Sequence, residues 1–188
     1  MKRRPSHGFG LIELLVSLVV TGIGLVGVLH LYARAQTSEL ESYQRAQVLV
    51  MLGDMASRLD ANRGAAACYA FTDAATGAPF AGQGNTAVFA CAGAGSTASR
   101  AVADADMAQW DALLKGNQEQ LGGNDVGGVA GARGCVWSDA AGDLFTVSVA
   151  WQGRSATTVP ANPCGQGQYG GEALRRVVST TVRLADLN

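Results

Sequence analysis

From Phe9 to Leu31 the chain runs for twenty-three residues with a single acid, Glu13, and no lysine or arginine. Coiled as a helix at 1.5 Å per residue, that run is about 35 Å long, enough to cross the hydrocarbon core of a bilayer. Lys2, Arg3 and Arg4 stand just before it, and the next arginine or lysine is Arg34. Basic residues are retained on the cytoplasmic side, so this asymmetry places the N-terminal end in the cytoplasm and the rest of the chain across the membrane. Glu13 is out of place in such a segment. A carboxylate in hydrocarbon costs about 2.5–3.5 kcal/mol even on lenient insertion scales.

Three readings compete for the apolar run. A secretory signal peptide has a small-residue site available at Ala33-Arg34-Ala35, but its apolar region spans about 7–15 residues, well short of this one. A plain signal anchor accounts for the length and leaves Glu13 without a purpose, unless the acid snorkels to the interface from its place near the helix end. The third reading accounts for both. A short basic leader, Gly8, Phe9, then Leu11-Ile12-Glu13 opening an apolar helix resembles the class III signal of type IV pilins and pseudopilins. That resemblance implies cleavage by prepilin peptidase after Gly8 and N-methylation of the new terminal residue, Phe9. It also implies that Glu13 is neutralised by the terminal amine of a neighbouring subunit, which would make it a registration device in assembly. An ion pair in a low-dielectric setting is tolerated where either charge alone is costly. Loss of the leader, residues 1–8, would lower the basic count from 14 to 11 against 15 acids, a net charge of −4.

Beyond the span, residues 32–63 contain no proline and are rich in helix formers. Val48, Leu52, Met55 and Leu59 recur at helical spacing on one face and predict a core stripe. Glu41 and Arg45 form an i,i+4 pair on a more polar surface. Asn62-Arg63-Gly64 reads as a basic last turn with a glycine stop. The expectation is one helix from Phe9 to Asn62, about 80 Å long. Its first half (9–31) is the transmembrane or filament-core part and its second half (32–63) a periplasmic amphipathic part. Gly22, Gly24 and Gly27 mark either a soft stretch or a close helix contact. His30 reads as a helix-contact residue.

Residues 64–188 read as a globular head. Ala-, Gly-, Ser- and Thr-rich residues 64–100 suggest a long stapled loop carrying Cys68 and Cys91. Asp104 is the expected cap of a short helix that runs through Leu114 and stops at Lys115-Gly116, with Trp110, Leu113 and Leu114 on its buried side. A glycine-rich linker, LGGNDVGGVAGARG, leads into two β segments around the turn Asp139-Ala140-Ala141-Gly142. In the second, LFTVSVAW (144–151), Phe145, Val147, Val149 and Trp151 share one face, and Thr146, Ser148 and Ala150 the other. A third strand near Leu174 to Leu184 completes an antiparallel sheet over about 133–185. The fold class is therefore α+β: a long N-terminal helix packed on a small antiparallel head. Four cysteines (Cys68, Cys91, Cys135, Cys164), widely spaced and beyond the apolar run, read as two disulfides in an exported segment and not as a metal site. Of three connectivities, Cys68–Cys91 with Cys135–Cys164 is the simplest.

The segment AQVLVMLGDMASRLDANR, then DADMAQWDALL, the glycine-rich stretch, Cys135 and VSVAWQG are similar to the type IV pilus modification protein PilV family. Many major pilins carry a proline in the apolar helix, and this run has none. The resemblance implies a minor pilin that helps start pilus assembly in a tip or priming complex. It would reside in the inner membrane with its head in the periplasm and pass later into the pilus. Implied partners are other minor pilins, the major pilin, prepilin peptidase and the inner-membrane assembly machinery; no cofactor or metal is implied. Alternatives are a minor pseudopilin of a type II secretion system and an anchored periplasmic binding domain.

Enzymatic chemistry finds little support. Both histidines, His7 and His30, lie in the leader and apolar run, so a Ser-His or Cys-His nucleophile in the head is excluded. Ten scattered aspartates form no D-x-D-x-D-G calcium loop. GQGQYG (165–170) fits G-x-G-x-x-G, yet follows Asn162-Pro163-Cys164 and leads into a strand, which is the wrong context for a dinucleotide. A net charge of −1 without long charge runs gives no basis for nucleic-acid binding.

Overall fold

A computed structural model describes residues 10–117, 120–125 and 127–184. The long helix α1 spans Leu11–Ala61, fifty-one residues without a break. The chain divides into two compact units at Ser42/Tyr43.

The first unit is helix α1 as far as Ser42. Its large apolar side chains are exposed on all sides, from Leu11 (80%) and Leu18 (74%) to Leu31 (67%). A helix apolar all round is suited to a hydrocarbon or protein surround and not to water. The polar side chains within this stretch turn back on the helix. Ser17 Oγ donates to Leu14 O at 2.9 Å, and Thr21 Oγ1 to Ser17 O at 2.8 Å, which satisfies hydroxyls that hydrocarbon cannot.

The second unit begins with the remaining turns of α1. Val48, Met51, Leu52, Met55 and Leu59 are 0–5% exposed, so the stripe is buried and gains Met51 as a neighbour. The helix ends at Ala61 and the chain passes into a 3-10 segment, Arg63–Tyr69. Gly64 lies inside that segment and does not act as a left-handed stop.

A second helix, α2, covers Thr97–Lys115. It starts seven residues ahead of Asp104, with Ser96 as its cap: the Ser96 hydroxyl accepts from Ser99 N at 3.1 Å. Asp104 instead accepts from Cys91 N at 2.8 Å and holds the preceding loop. Gly116, at φ +82°, closes the helix with its N–H on Ala112 and Leu113 carbonyls, a left-handed cap suited to glycine. Trp110 and Leu114 are buried and Leu113 half-buried.

The strands, in chain order, are β1 (Ala81–Gly82), β2 (Gln120–Leu121), β3 (Asn124–Asp125), β4 (Arg133–Ser138), β5 (Leu144–Gln152) and β6 (Arg175–Arg183). β2 and β3 form a separate small hairpin. The main sheet is antiparallel in the order β1-β4-β5-β6. Asp139 Oδ1 accepts from Gly142 N at 2.8 Å and turns β4 into β5. On one face Val136, Phe145, Val147, Val149 and Trp151 join the α1 stripe, α2 and Tyr69 in the main core. The opposite face is covered as well: Ser148 and Ala150 are 0% exposed beneath a smaller cluster of Phe80, Cys135, Cys164 and Tyr169. The alternation of β5 thus separates two buried faces, because the β5–β6 connection folds back over the sheet.

Candidate functional site

Two features carry chemistry or assembly: the start of α1, and the polar clasps that fix the head. Glu13 sits in the first turn of α1 with its N–H on Gly10 O at 3.0 Å, and the residue is exposed. Negative charge at a helix N-terminus is favoured by the orphan amides there. Along the helix the nearest arginine or lysine toward its C-terminus is Arg34, twenty-one positions on, or about 30 Å of helix. Among the described residues Glu13 has no ion-pair partner. Gly8 and Phe9, the residues read as the cleavage and methylation site, lie outside the described residues. A Cβ built on Gly22, Gly24 or Gly27 meets nothing within 4 Å; at 100° per residue Gly24 and Gly27 lie on one side of the helix and Gly22 on the other. Sequence periodicity gives no sign of the Ser17 and Thr21 back-bonds; the signal available was small hydroxyl residues inside an apolar run.

In the head, Cys68 is bonded to Cys91 and Cys135 to Cys164. The first bond joins the 3-10 segment to the loop before α2. The second ties β4 to the β5–β6 connection. A polar clasp joins the end of α1 to α2. Arg58 pairs with Asp54 and Asp106, each at 2.8 Å, and Tyr69 Oη donates to Asp106 Oδ2 at 2.6 Å. Burial, and then the hydrogen bond to Asp106, pushes the Tyr69 phenol well above its ordinary pKa. A second clasp is centred on Arg175, 1% exposed, which pairs with Glu172 at 2.7 Å. The Gly167 N–H and then Arg175 hold the Glu172 carboxyl below the usual range. These groups bond one another. Among the described residues no group of three or more His, Cys, Asp or Glu is placed to hold a metal ion.

The family model described as a prokaryotic N-terminal methylation motif matches residues 3–29. No curated protein and no solved structure matches the chain. The matched segment covers residues 3–8 of the basic leader and most of the apolar run, including Glu13. A signal of this class with a single N-terminal apolar helix, mean hydropathy 2.4 over its apolar window, fits a single-pass inner-membrane protein of a pilus or pseudopilus. The long helix followed by a four-stranded antiparallel sheet and two disulfides is an α+β, pilin-like fold, and it carries at its start the N-terminal signal of type IV pilin-like proteins.

Proposed function

We propose that this chain is a minor pilin of a type IV pilus, of the PilV kind, that helps initiate assembly in a tip or priming complex. The observation that carries the reading is the methylation motif at residues 3–29 leading into an all-round apolar helix. That helix continues unbroken into the core of a folded head. In this reading residues 1–8 are the leader and 9–31 are the part that leaves the bilayer for a bundle of like helices. Residues 32–63 are the periplasmic half of the helix, and 64–188 the periplasmic head. Prepilin peptidase cuts after Gly8 and Phe9 is methylated. Glu13 takes its counter-charge from the terminal amine of an adjacent subunit, which sets the axial offset between helices. Minor pilins, the major pilin and the inner-membrane assembly machinery are the partners, and the role is structural. The continuity of α1, without a proline, supports a minor and not a major subunit.

Removing the leader strips Lys2, Arg3 and Arg4, the cationic anchor that fixes the N-terminus on the cytoplasmic side. A permanently anchored protein gains nothing from that loss; a subunit that must exit the membrane does. Intact-mass measurement of the chain from its native membrane tests the reading, with N-methylated Phe9 as the expected start. A start at Gln36 or a retained leader would overturn it. A type II secretion pseudopilin shares the same N-terminus and is distinguished by deletion: loss of pili with secretion intact is the outcome expected here.

A further inference from the structure

The main sheet has two edges, and the fold treats them differently. At one edge β1 is two residues long and buried, and its Gly82 N–H donates to the Asp111 carboxylate at 2.7 Å. At the other, β6 runs for nine residues and pairs with β5 one for one, from Gln152 opposite Arg175 to Leu144 opposite Arg183, without a bulge. The β5–β6 connection holds only the start of β6, where Arg176 donates to Ser155 O at 2.6 Å. Over residues 177–183, among the described residues, no hydrogen bond leaves β6 for anything but β5. Along an antiparallel edge strand the amides and carbonyls of alternate residues point away from the neighbour, so this stretch presents a row of unpaired donors and acceptors. Folded proteins blunt such edges with a mid-strand charge, a proline, a bulge or a covering loop. VVSTTV (177–182) carries neither charge nor proline, and Ser179, Thr181 and Arg183 are exposed.

A row of backbone donors and acceptors at strand spacing is matched group for group by another extended polypeptide backbone. The side chains of β6 set the pattern that such a strand must carry. Val178 and Val182 lie half-buried against the main core, so residues arriving beside them gain cover by being apolar. Ser179, Thr181 and Arg183 lie on the other face. Arg183 has no ion-pair partner among the described residues, and hydroxyl residues with an acid beside Arg183 are the complement of that face. A second copy of the chain is a poor occupant. Two copies paired antiparallel through one edge are related by a two-fold axis normal to the sheet. That axis reverses the turns of α1 packed on the sheet face, and two chains so related cannot both lead into one membrane from the same side.

We propose that the free edge of β6, residues 177–183, docks an extended segment of a different polypeptide as an added antiparallel strand. Its apolar residues lie toward Val178 and Val182, and an acid lies beside Arg183. The inference uses the membrane span and not the pilus reading, so either can fail without the other. The test uses the full chain, 15N-labelled in detergent micelles, and a synthetic probe, acetyl-Asp-Val-Thr-Val-Thr-Val-Thr-amide. Laid antiparallel with its Asp opposite Arg183, the probe turns its valines to the face of Val178 and Val182. Hydrogen exchange of the amides of residues 177–183 is followed as the probe is added. The expected result is saturable slowing at every second amide, those that face away from β5, with the others unchanged. Of two probes N-methylated at alternate amides in opposite phase, only the one whose methyls face β6 should lose the effect. Replacing the probe's Asp by Lys should weaken binding by up to about fivefold, and Arg183→Glu should reverse that preference. No slowing, or equal effects of the two methylated probes, would overturn the site. Slowing of the same amides without probe, growing with protein concentration, would assign the edge to a second copy and overturn the partner. The probe comparisons use the unaltered chain, so they stand whatever Arg183→Glu does to folding.

Discussion

Gly134 offers a sharp test of the packing between α2 and the main sheet. It lies in β4 opposite Val149 and Ala81, with φ outside the left-handed range, so the backbone accepts alanine. On conformational grounds alone Gly134→Ala would stabilise the head by about 0.4–1 kcal/mol through the unfolded chain. The added Cβ, however, would sit 2.6 Å from Leu114 Cδ1 and closer still to the Trp110 ring. Both side chains are essentially fully buried. Trp110 cannot swing aside freely, because its Nε1 donates to Met51 O at 3.0 Å. Overpacking a close-packed core costs about 1–3 kcal/mol, and losing that hydrogen bond would add about 1 kcal/mol. The clash should win, with a net loss of about 1–3 kcal/mol. Gly53 is the control: it lies in the interior of α1 with nothing within 4 Å of a built Cβ, and Gly53→Ala should gain about 0.5–1 kcal/mol. At about 2–4 °C per kcal/mol for a unit of this size, Gly134→Ala should melt about 2–12 °C lower and Gly53→Ala about 1–4 °C higher. All three tryptophans, Trp110, Trp137 and Trp151, belong to the head, so fluorescence of the full chain in detergent follows the head alone. Gly134→Ala melting at or above the parent, alongside a stabilised Gly53→Ala, would refute the close approach of α2 to β4.

On the proposed role of Glu13, Glu13→Ala should insert as well as the parent or better, since the charge is gone, while its incorporation into filaments falls; normal incorporation would remove the registration argument. Disulfides spanning 23 and 29 positions should each contribute about 3.5 kcal/mol by restricting the unfolded chain, so reduction should cost the head its protease resistance. Alkylation of all four thiols without reductant would contradict the pairing. Glu172 has its carboxyl pKa lowered in the folded head by the Gly167 N–H and Arg175. The stability it contributes is therefore present above the unfolded value, about 4.3, and is lost as pH falls through the folded value. Glu172→Gln should melt lower than the parent at pH 7, and the gap should shrink in acid below about pH 4.3. A gap independent of pH would assign the loss to packing.

The parts legible in the sequence are those with a long period or a strong local rule. The α1 stripe repeats over three turns, β5 alternates over eight residues, and Gly116 follows a basic last turn. Ser96 escaped notice because the first turns of α2, Thr97 to Val102, hold one large apolar side chain, Val102, and that residue stays exposed. They leave no apolar rhythm to announce a helix. β1 is two residues long, too short to show alternation. The burial of Ser148 had a signal that could have been weighed: Cys135 shares its face, and a cysteine there bonded to a distant loop means that the loop must cross that face. The motif at the start of α1 was legible because it is written in consecutive residues, and the family model matches that same stretch, 3–29. The clasps in the head combine short-range pairs, Arg58–Asp54 and Arg175–Glu172, with bonds from Arg58 and Tyr69 to the distant Asp106, and those long-range bonds have no linear signature.

The two units of the chain give α1 two surfaces with different duties, and the boundary between them makes the functional tests separable. From Leu11 to Leu31 no large apolar side chain of the helix is buried, whereas Val48, Met55 and Leu59 are 0% exposed within the head. A change at Glu13 or at Gly22, Gly24 or Gly27 therefore removes nothing from the core that sets head stability, and a change at Met55 leaves the apolar span chemically intact. Truncating Met55 or Leu59 to alanine should cost about 2–5 kcal/mol and lower the tryptophan melting transition. Glu13→Ala should leave that transition where it was. A filament defect in Glu13→Ala with an unchanged melt then has to arise in the association of helices and not in folding. If the melt fell with Glu13→Ala, the charge would be supporting the head, and its role in assembly would lose its basis.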